Sequence, residues 1–203
     1  MLHVVKLGGS LLDEPERLRC WLRVVADGGG RVIVVPGGGP FADAVRLAHR
    51  KTGVDERTAH RMALLAMEQY ALLLASLEPA LTPASSIGAL RAALRRGGVP
   101  VWQPWCMASD AEDIEESWRV TSDSLAAWLA REIGAAALWL VKSCAIPMQD
   151  PTQLAAAGVV DAAFPGFCAG GRYAVRVLGP NEAQRLTAAL ARRPVTPVPA
   201  AAP

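Results

Sequence analysis

Arg31-Val32-Ile33-Val34-Val35-Pro36-Gly37-Gly38-Gly39-Pro40 is a β-branched run closed by proline and three glycines. Strands with one wet face alternate polar and apolar residues; this one does not alternate. Its continuity predicts burial on both faces, as in a parallel sheet covered by helices on each side. Upstream, His3-Val4-Val5-Lys6-Leu7 is a second short run, and it too stops on glycine, at Gly8-Gly9-Ser10. Between them, Leu18, Trp21, Leu22 and Val25 recur at helical spacing from about Pro15 to Ala26, and Asp27-Gly28-Gly29-Gly30 ends that helix. The first forty residues therefore read strand, helix, strand, with a helix from about Phe41 to His49 following.

The same alternation continues downstream. A long helix is predicted from about Glu56 to Leu77, and its segment Tyr70-Ala71-Leu72-Leu73-Leu74-Ala75 is apolar all round. Such a segment is expected to be deeply buried or to lie in a subunit interface, which predicts a homo-oligomer. Pro79, Pro83 and Ser85-Ser86 mark a break before a short helix from about Gly88 to Arg95. Val99 to Trp102 reads as a strand, and the acidic stretch Asp110 to Glu116 follows it. A helix starts at Ser122-Asp123-Ser124 and runs to about Ile133; Ala135 to Val141 and Gly171 to Leu178 are strands, and Asn181 to Ala191 is a last helix. The expected fold is α/β, a three-layer α/β/α sandwich with a mostly parallel central sheet, over residues 1–192. Residues 193–203 are rich in proline and alanine, and this tail is expected to be disordered.

Composition sets the outer bounds. In 203 residues there are 21 Lys+Arg against 19 Asp+Glu, so the net charge is +2 and no field is available to grip nucleic acid. With 52% hydrophobic residues the chain has ample core material. Cys20, Cys106, Cys144 and Cys168 lie far apart with no C-x-x-C pair. Neither a disulfide framework nor a thiolate zinc site is expected; the cysteines are expected to be small buried hydrophobes in a reducing cytoplasm. No apolar stretch reaches the roughly 18 residues a membrane span requires.

In open parallel sheets, ligands gather where strands end. Lys6-Leu7-Gly8-Gly9-Ser10 places a cation and two glycines there, and Gly37-Gly38-Gly39 places three more beside a helix N-terminus. Either cluster alone is equally well read as a tight turn. Together, and with a lysine, they favour a phosphate site built from backbone amides. Neither matches the P-loop or the dinucleotide fingerprint. Taken alone, Asp123 is best read as a first-turn carboxylate favoured by the helix dipole; Lys6 as a lysine reaching for solvent is a reading that the two adjacent glycines make less attractive. Trp102, Trp105 and Trp118 suit core packing better than stacking on a flat ring, and His60 suits a helix surface or core better than a ligand.

The stretches V-K-L-G-G-S, V-V-P-G-G-G and T-S-D-S-L-A-A resemble, in order and over residues 2 to 191, the amino acid kinase superfamily of acetylglutamate, aspartate, carbamate and uridylate kinases. Ala59-His60-Arg61-Met62-Ala63 through Tyr70, and Ser117 through Ser124, are most similar to its furan-phosphate kinase branch of methanofuran biosynthesis. That branch phosphorylates [5-(aminomethyl)furan-3-yl]methyl phosphate with ATP. The resemblance implies that Lys6 contacts the transferring phosphoryl group and that Gly8, Gly9 and Ser10 hold the nucleotide phosphates. By the same likeness, Gly37, Gly38 and Gly39 face the acceptor, Asp123 orients a catalytic lysine or a magnesium-bound water, and Ser122 lies near. ATP and Mg²⁺ are the implied cofactors, and no protein metal site is expected.

Three stretches depart from the superfamily pattern. Phe167-Cys168-Ala169-Gly170-Gly171-Arg172 lacks the usual second lysine, so Lys142, followed by Ser143, or Arg172 is expected to replace it. Cys144 to Asp150 stands in place of the usual nucleotide loop. Arg119 stands where the furan branch has aspartate and is expected to alter the acceptor's charge preference or to tether its phosphate. The partner is thus a small phosphate acceptor, with the furan-methyl phosphate first. A uridylate-type kinase and a non-catalytic ligand-binding or assembly protein are the alternatives.

Overall fold

A computed structural model describes residues 1–191; the proline-rich tail at 193–203 lies outside the described residues. Six strands form one sheet: β1 (His3–Leu7), β2 (Val32–Pro36), β3 (Leu81–Ala84), β4 (Val99–Trp102), β5 (Ala137–Val141) and β6 (Ala174–Leu178). Every pairing is parallel, and the order across the sheet is β3-β4-β2-β1-β5-β6. The expectation of a mostly parallel sheet with helices on both faces holds. β1, β2 and β5 are buried at every position; the unbroken apolar runs of β2 and β5 call for this, and β1 buries His3 and Lys6 as well.

The helices are α1 (Pro15–Ala26), α2 (Gly39–Thr52), α3 (Glu56–Leu77), α4 (Ile87–Arg95), α5 (Trp105–Ala108), α6 (Ser122–Ile133), α7 (Pro151–Ala156), α8 (Phe164–Cys168) and α9 (Ala183–Ala191). Period-2 alternation splits the sheet between two cores. Val4, Ile33, Val35, Leu138 and Leu140 face α6 and the N-terminal half of α3. Val5, Leu7, Val32, Val34 and Val141 face α1, α9 and the Tyr70-Ala71-Leu74 edge of α3. α3 keeps the predicted boundaries, and Asp55 caps it through a bond from the Thr58 amide. Its all-round apolar segment is only half buried: Tyr70, Ala71 and Leu74 are inside, while Leu72 is exposed, as are Leu65 and Leu77 elsewhere on the helix.

The structure corrects several expectations. β3 exists despite Pro83, because it is an edge strand paired only with β4 and one side needs no N–H. α5, α7 and α8 are turns of four to six residues, too short for periodicity to reveal. All four cysteines are free, but Cys20, Cys106 and Cys144 are exposed rather than packed inside. At the other sheet edge, Gln149 pairs with the outer side of β6 in both directions: Nε2 donates to Val177 O and Oε1 accepts from Val177 N, each at 2.9 Å.

The chain order creates one switch point. After β1 the chain goes to the β2-β4-β3 side; after β4 it crosses to β5 and β6. The C-terminal ends of β2, β1 and β5 therefore flank the crevice where such sheets bind ligands.

Candidate active site

Lys6 is the penultimate residue of β1 and lies beside Val35 of β2 and Leu140 of β5. Alternation puts Lys6 and Leu140 on the same face, and Lys142 two residues further on that face. α6 covers this face, and its first turn carries Asp123. The three side chains meet: Lys6 Nζ forms an ion pair with Asp123 Oδ1 at 2.9 Å. Lys142 Nζ donates to Asp123 Oδ2 at 2.6 Å. Lys6 and Asp123 are each 5% exposed. Burial alone would raise the Asp123 carboxyl, but the charges of Lys6 and Lys142 hold it below the usual carboxylate range. Lys142 is lowered by burial and by Lys6, with Asp123 pulling the other way. Two ammonium groups share one carboxylate, so the cluster carries one uncompensated positive charge. That donor set fits a polyanion.

The two glycine loops touch through their backbones. A Cβ on Gly9 would lie 2.1 Å from Gly39 N, and one on Gly37 would lie 2.4 Å from Gly9 N. Gly39 has φ +54°, the left-handed region that glycine occupies without strain. Gly8 and Gly37 spend their amides on the sheet, Gly8 N donating to Val141 O at 3.2 Å and Gly37 N to Leu7 O at 2.9 Å. Gly9 opens a short 3₁₀ turn and Gly39 opens α2, and the first amides of a helix have no partner within it. Gly9, Ser10, Gly38 and Gly39 consequently form the amide-rich rim of a cavity of about 330 Å³, with Lys6 at its floor.

The rest of that cavity comes from α2, α3 and the 117–125 segment. Leu64, Met67, Val120 and Leu125 supply an apolar wall. Trp118 joins it, with the Arg46 guanidinium 4.7 Å from its ring centroid and its Nε1 donating to His49 Nδ1 at 2.8 Å. Trp102 is fully buried and stacks on Trp128, whereas Trp118 packs partly buried on Ala42, Val45 and Ala66 while it borders the cavity. His60 also borders the cavity at 3% exposure.

The expected residues divide. Lys6, Gly9, Ser10, Gly38, Gly39 and Ser122 border the cavity, and Asp123 and Lys142 meet at its floor lysine. Ser143 lies outside it but bonds Ser10 Oγ at 2.9 Å, joining the ends of β1 and β5. Gly8 and Gly37 close the strands and do not line the cavity, and Arg119 is exposed away from it. Of the two candidates for the second cation, Lys142 is in the cluster and Arg172 is exposed.

Asp161 was not foreseen. It accepts from the amides of Thr121 and Ser124 at 3.0 Å each, from Thr121 Oγ1 at 2.8 Å and from Ser124 Oγ. It thereby caps the start of α6 and fixes Asp123 in place. Nothing local marks it, since the cap arrives from 37 to 40 residues away. Arg46 and His49 were likewise hidden, and Trp118 was assigned to core packing, because their grouping exists only once α2 packs beside the loop. No group of three or more His, Cys, Asp or Glu suited to a metal ion occurs among the described residues. None of their helices is long and apolar enough to cross a membrane.

Comparison with known proteins bears on this geometry. The family model described as the amino acid kinase family matches residues 1–151. The [5-(aminomethyl)furan-3-yl]methyl phosphate kinase of Methanocaldococcus jannaschii is 24% identical over 131 residues, 64% of this chain. The match spans 60% of that kinase's length. The uridylate kinase of Archaeoglobus fulgidus superposes with a TM-score of 0.69 at 21% identity, covering 94% of this chain and 95% of its own. The UMP kinase of Bacillus anthracis does so at 0.68 and 14% identity, covering 93% and 91%.

Proposed function

Because the chain belongs to the amino acid kinase family, we propose that it is a phosphotransferase moving a phosphoryl group from Mg-ATP to a small phosphate acceptor, with residues 1–192 as the working unit. The observation that carries this reading is the buried Lys6–Asp123–Lys142 cluster at the foot of two abutting glycine loops. Phosphoryl transfer is mostly positioning and charge neutralisation. Lys6 and Lys142 would offset charge on the phosphate oxygens, while Asp123 holds both ammonium groups on the reacting side. The free amides of Gly9 and Ser10 would hold the nucleotide phosphates, beside Ser143. Those of Gly38 and Gly39 would hold the acceptor phosphate, near the Ser122 hydroxyl. A phosphate acceptor is already anionic at neutral pH, so no general base is required. Magnesium is a hard cation that keeps company with substrate phosphates, and it would arrive on the nucleotide.

The first acceptor to test is [5-(aminomethyl)furan-3-yl]methyl phosphate, supported by the similarity to the Methanocaldococcus kinase and by Trp118 in the cavity wall. UMP is the second, supported by the full-length likeness to uridylate kinases. A coupled ADP-release assay with Mg-ATP and each acceptor at millimolar concentration separates them. Turnover above a Lys6→Ala background is expected with one of the two; equality with that background for both refutes the kinase reading and leaves the non-catalytic one. Assembly through the exposed Leu65, Leu72 and Leu77 of α3 is part of the same proposal. Light scattering that finds only a monomer at micromolar concentration refutes it.

A further inference from the structure

We propose that Trp118 limits the bulk of the acceptor the cavity admits, and that His49, which does not line the cavity, is the positioning residue that fixes it there. The inference rests on the reading of the cavity as an acceptor site and adds what restricts the acceptor. Trp118 lies in the 109–121 connection, which holds neither helix nor strand, so no regular backbone dictates where its indole points. Instead the connection is tied down on both sides of it. His60 Nδ1 donates to the carbonyl oxygen of Ser117 at 3.3 Å, binding the connection to α3. The Thr121 amide and hydroxyl donate to Asp161. The indole itself is held from α2. Its Nε1 donates to His49 Nδ1 at 2.8 Å, the two ring planes lying 18° apart. An indole N–H can only donate, so the His49 ring proton sits on Nε2. The Arg46 guanidinium, braced by Asp43 at 2.9 Å, lies over the indole at 4.7 Å from its ring centroid.

A side chain held this way cannot swing aside without breaking bonds, so it acts as a fixed wall. A ligand that presses on a fixed wall pays for the misfit, whereas a mobile wall would yield. Trp118 is also the largest side chain bordering the cavity, so its position changes the available space most. That space is small: about 330 Å³, near the lower end of the roughly 300–1,000 Å³ range of ligand sites. The phosphate takes the end at Lys6 and Gly39. What remains beside Leu64, Met67 and Trp118 holds about one ring. His49 governs that limit from outside the cavity, because losing its lone pair frees the indole to tilt.

The test is calorimetric binding of two phosphate monoesters to the full chain: benzyl phosphate and (naphthalen-1-yl)methyl phosphate. In the wild type the naphthyl ester is expected to bind about 10- to 100-fold more weakly, because its second ring overpacks a fixed wall. Trp118→Ala is expected to bring the two esters within about 3-fold of each other. His49→Phe keeps a ring but accepts nothing from Nε1, and is expected to narrow the wild-type preference by about 3- to 10-fold. His49→Asn puts an oxygen where Nδ1 stood and is expected to restore most of it. Equal affinities in the wild type overturn the size limit. An undiminished preference in His49→Phe overturns the positioning role, since an indole that merely fills space against Ala42, Val45 and Ala66 would not answer to His49. Should Trp118→Ala fail to fold, the two His49 variants decide. Binding of neither ester to the wild type refutes the acceptor site and this proposal together. A preference that shrinks as expected in a chain without turnover refutes the kinase reading alone.

Discussion

Asp123→Asn keeps the shape of the side chain and removes its charge, leaving Lys6 and Lys142 without their shared carboxylate. The two amines now lie 2.9 and 2.6 Å from its oxygens, and their side chains are 6% and 13% exposed, so water screens them little. Breaking a buried ion pair by deleting one partner costs about 3–5 kcal/mol. For a chain of this length that corresponds to a fall in Tm of roughly 6–20 °C. The pH dependence carries the sharper test. In the wild type the folded pKa of Asp123 is depressed, so its contribution is present at pH 7 and is lost as pH falls below the carboxylate range. In the variant, Lys142, already lowered by burial and by Lys6, loses the carboxylate that opposes both and favours its neutral form in the folded state only. The unfolded chain then binds more protons, and the variant's stability rises with pH. Urea unfolding followed by circular dichroism at pH 7 and pH 9.5 is the assay, with the deficit expected to shrink at the higher pH. A deficit below about 1 kcal/mol, or one unchanged between the two pH values, would falsify the ionised-cluster account.

Further outcomes follow from the same geometry. Gly9→Ala forces a Cβ into the backbone of Gly39 and should destabilise the fold by about 2–3 kcal/mol while abolishing turnover; Gly53→Ala, at φ +68° with open space around it, should cost only about 1–2 kcal/mol and leave kcat unchanged. If the two variants behave alike in unfolding and in the ADP-release assay, the loop contact has no special role. Asp161→Ala strips two amides and two hydroxyls of their acceptor and should cost about 2 kcal/mol, with kcat falling as the start of α6 loosens; wild-type kcat would show that Asp123 needs no such support. Because Lys142 is depressed by its surroundings, kcat should decline on the alkaline side at a pH below the ordinary lysine range of about 10.4. Lys142→Arg, which stays protonated, should lose that limb, and an identical limb in both proteins would assign it to another group.

How much of this could be read from residues alone follows physical lines. Buried parallel strands announce themselves, as Val32 to Val35 and Leu138 to Val141 do, because burial on both faces leaves no polar position. α3 showed both ends, since Asp55 caps it and Pro79 follows it. β3 escaped because Pro83 reads as a breaker until its place on an edge is known. In the candidate site, Lys6, Gly9 and Gly39 were legible, since each stands next to a strand or helix end, whereas Asp123 was singled out by the family resemblance and not by its place in the first turn of α6. Lys142 was one of two options that only the register of β1 against β5 could separate. Asp161, Arg46 and His49 act across long sequence separations, and their neighbours in sequence say nothing of their partners in space.

Gln149 has a consequence for assembly. Exposed sheet margins invite strand addition, and this protein blunts both of its own. On one side, the Gln149 amide occupies Val177 as a strand from another chain would. On the other, Pro83 removes a donor from the outermost strand. A second copy therefore finds little purchase for a continuous intermolecular ladder at either margin, and a stable contact between copies falls to helix surfaces. Growth by β-stacking is disfavoured at its starting points, so association of the folded chain should be closed and countable rather than open-ended.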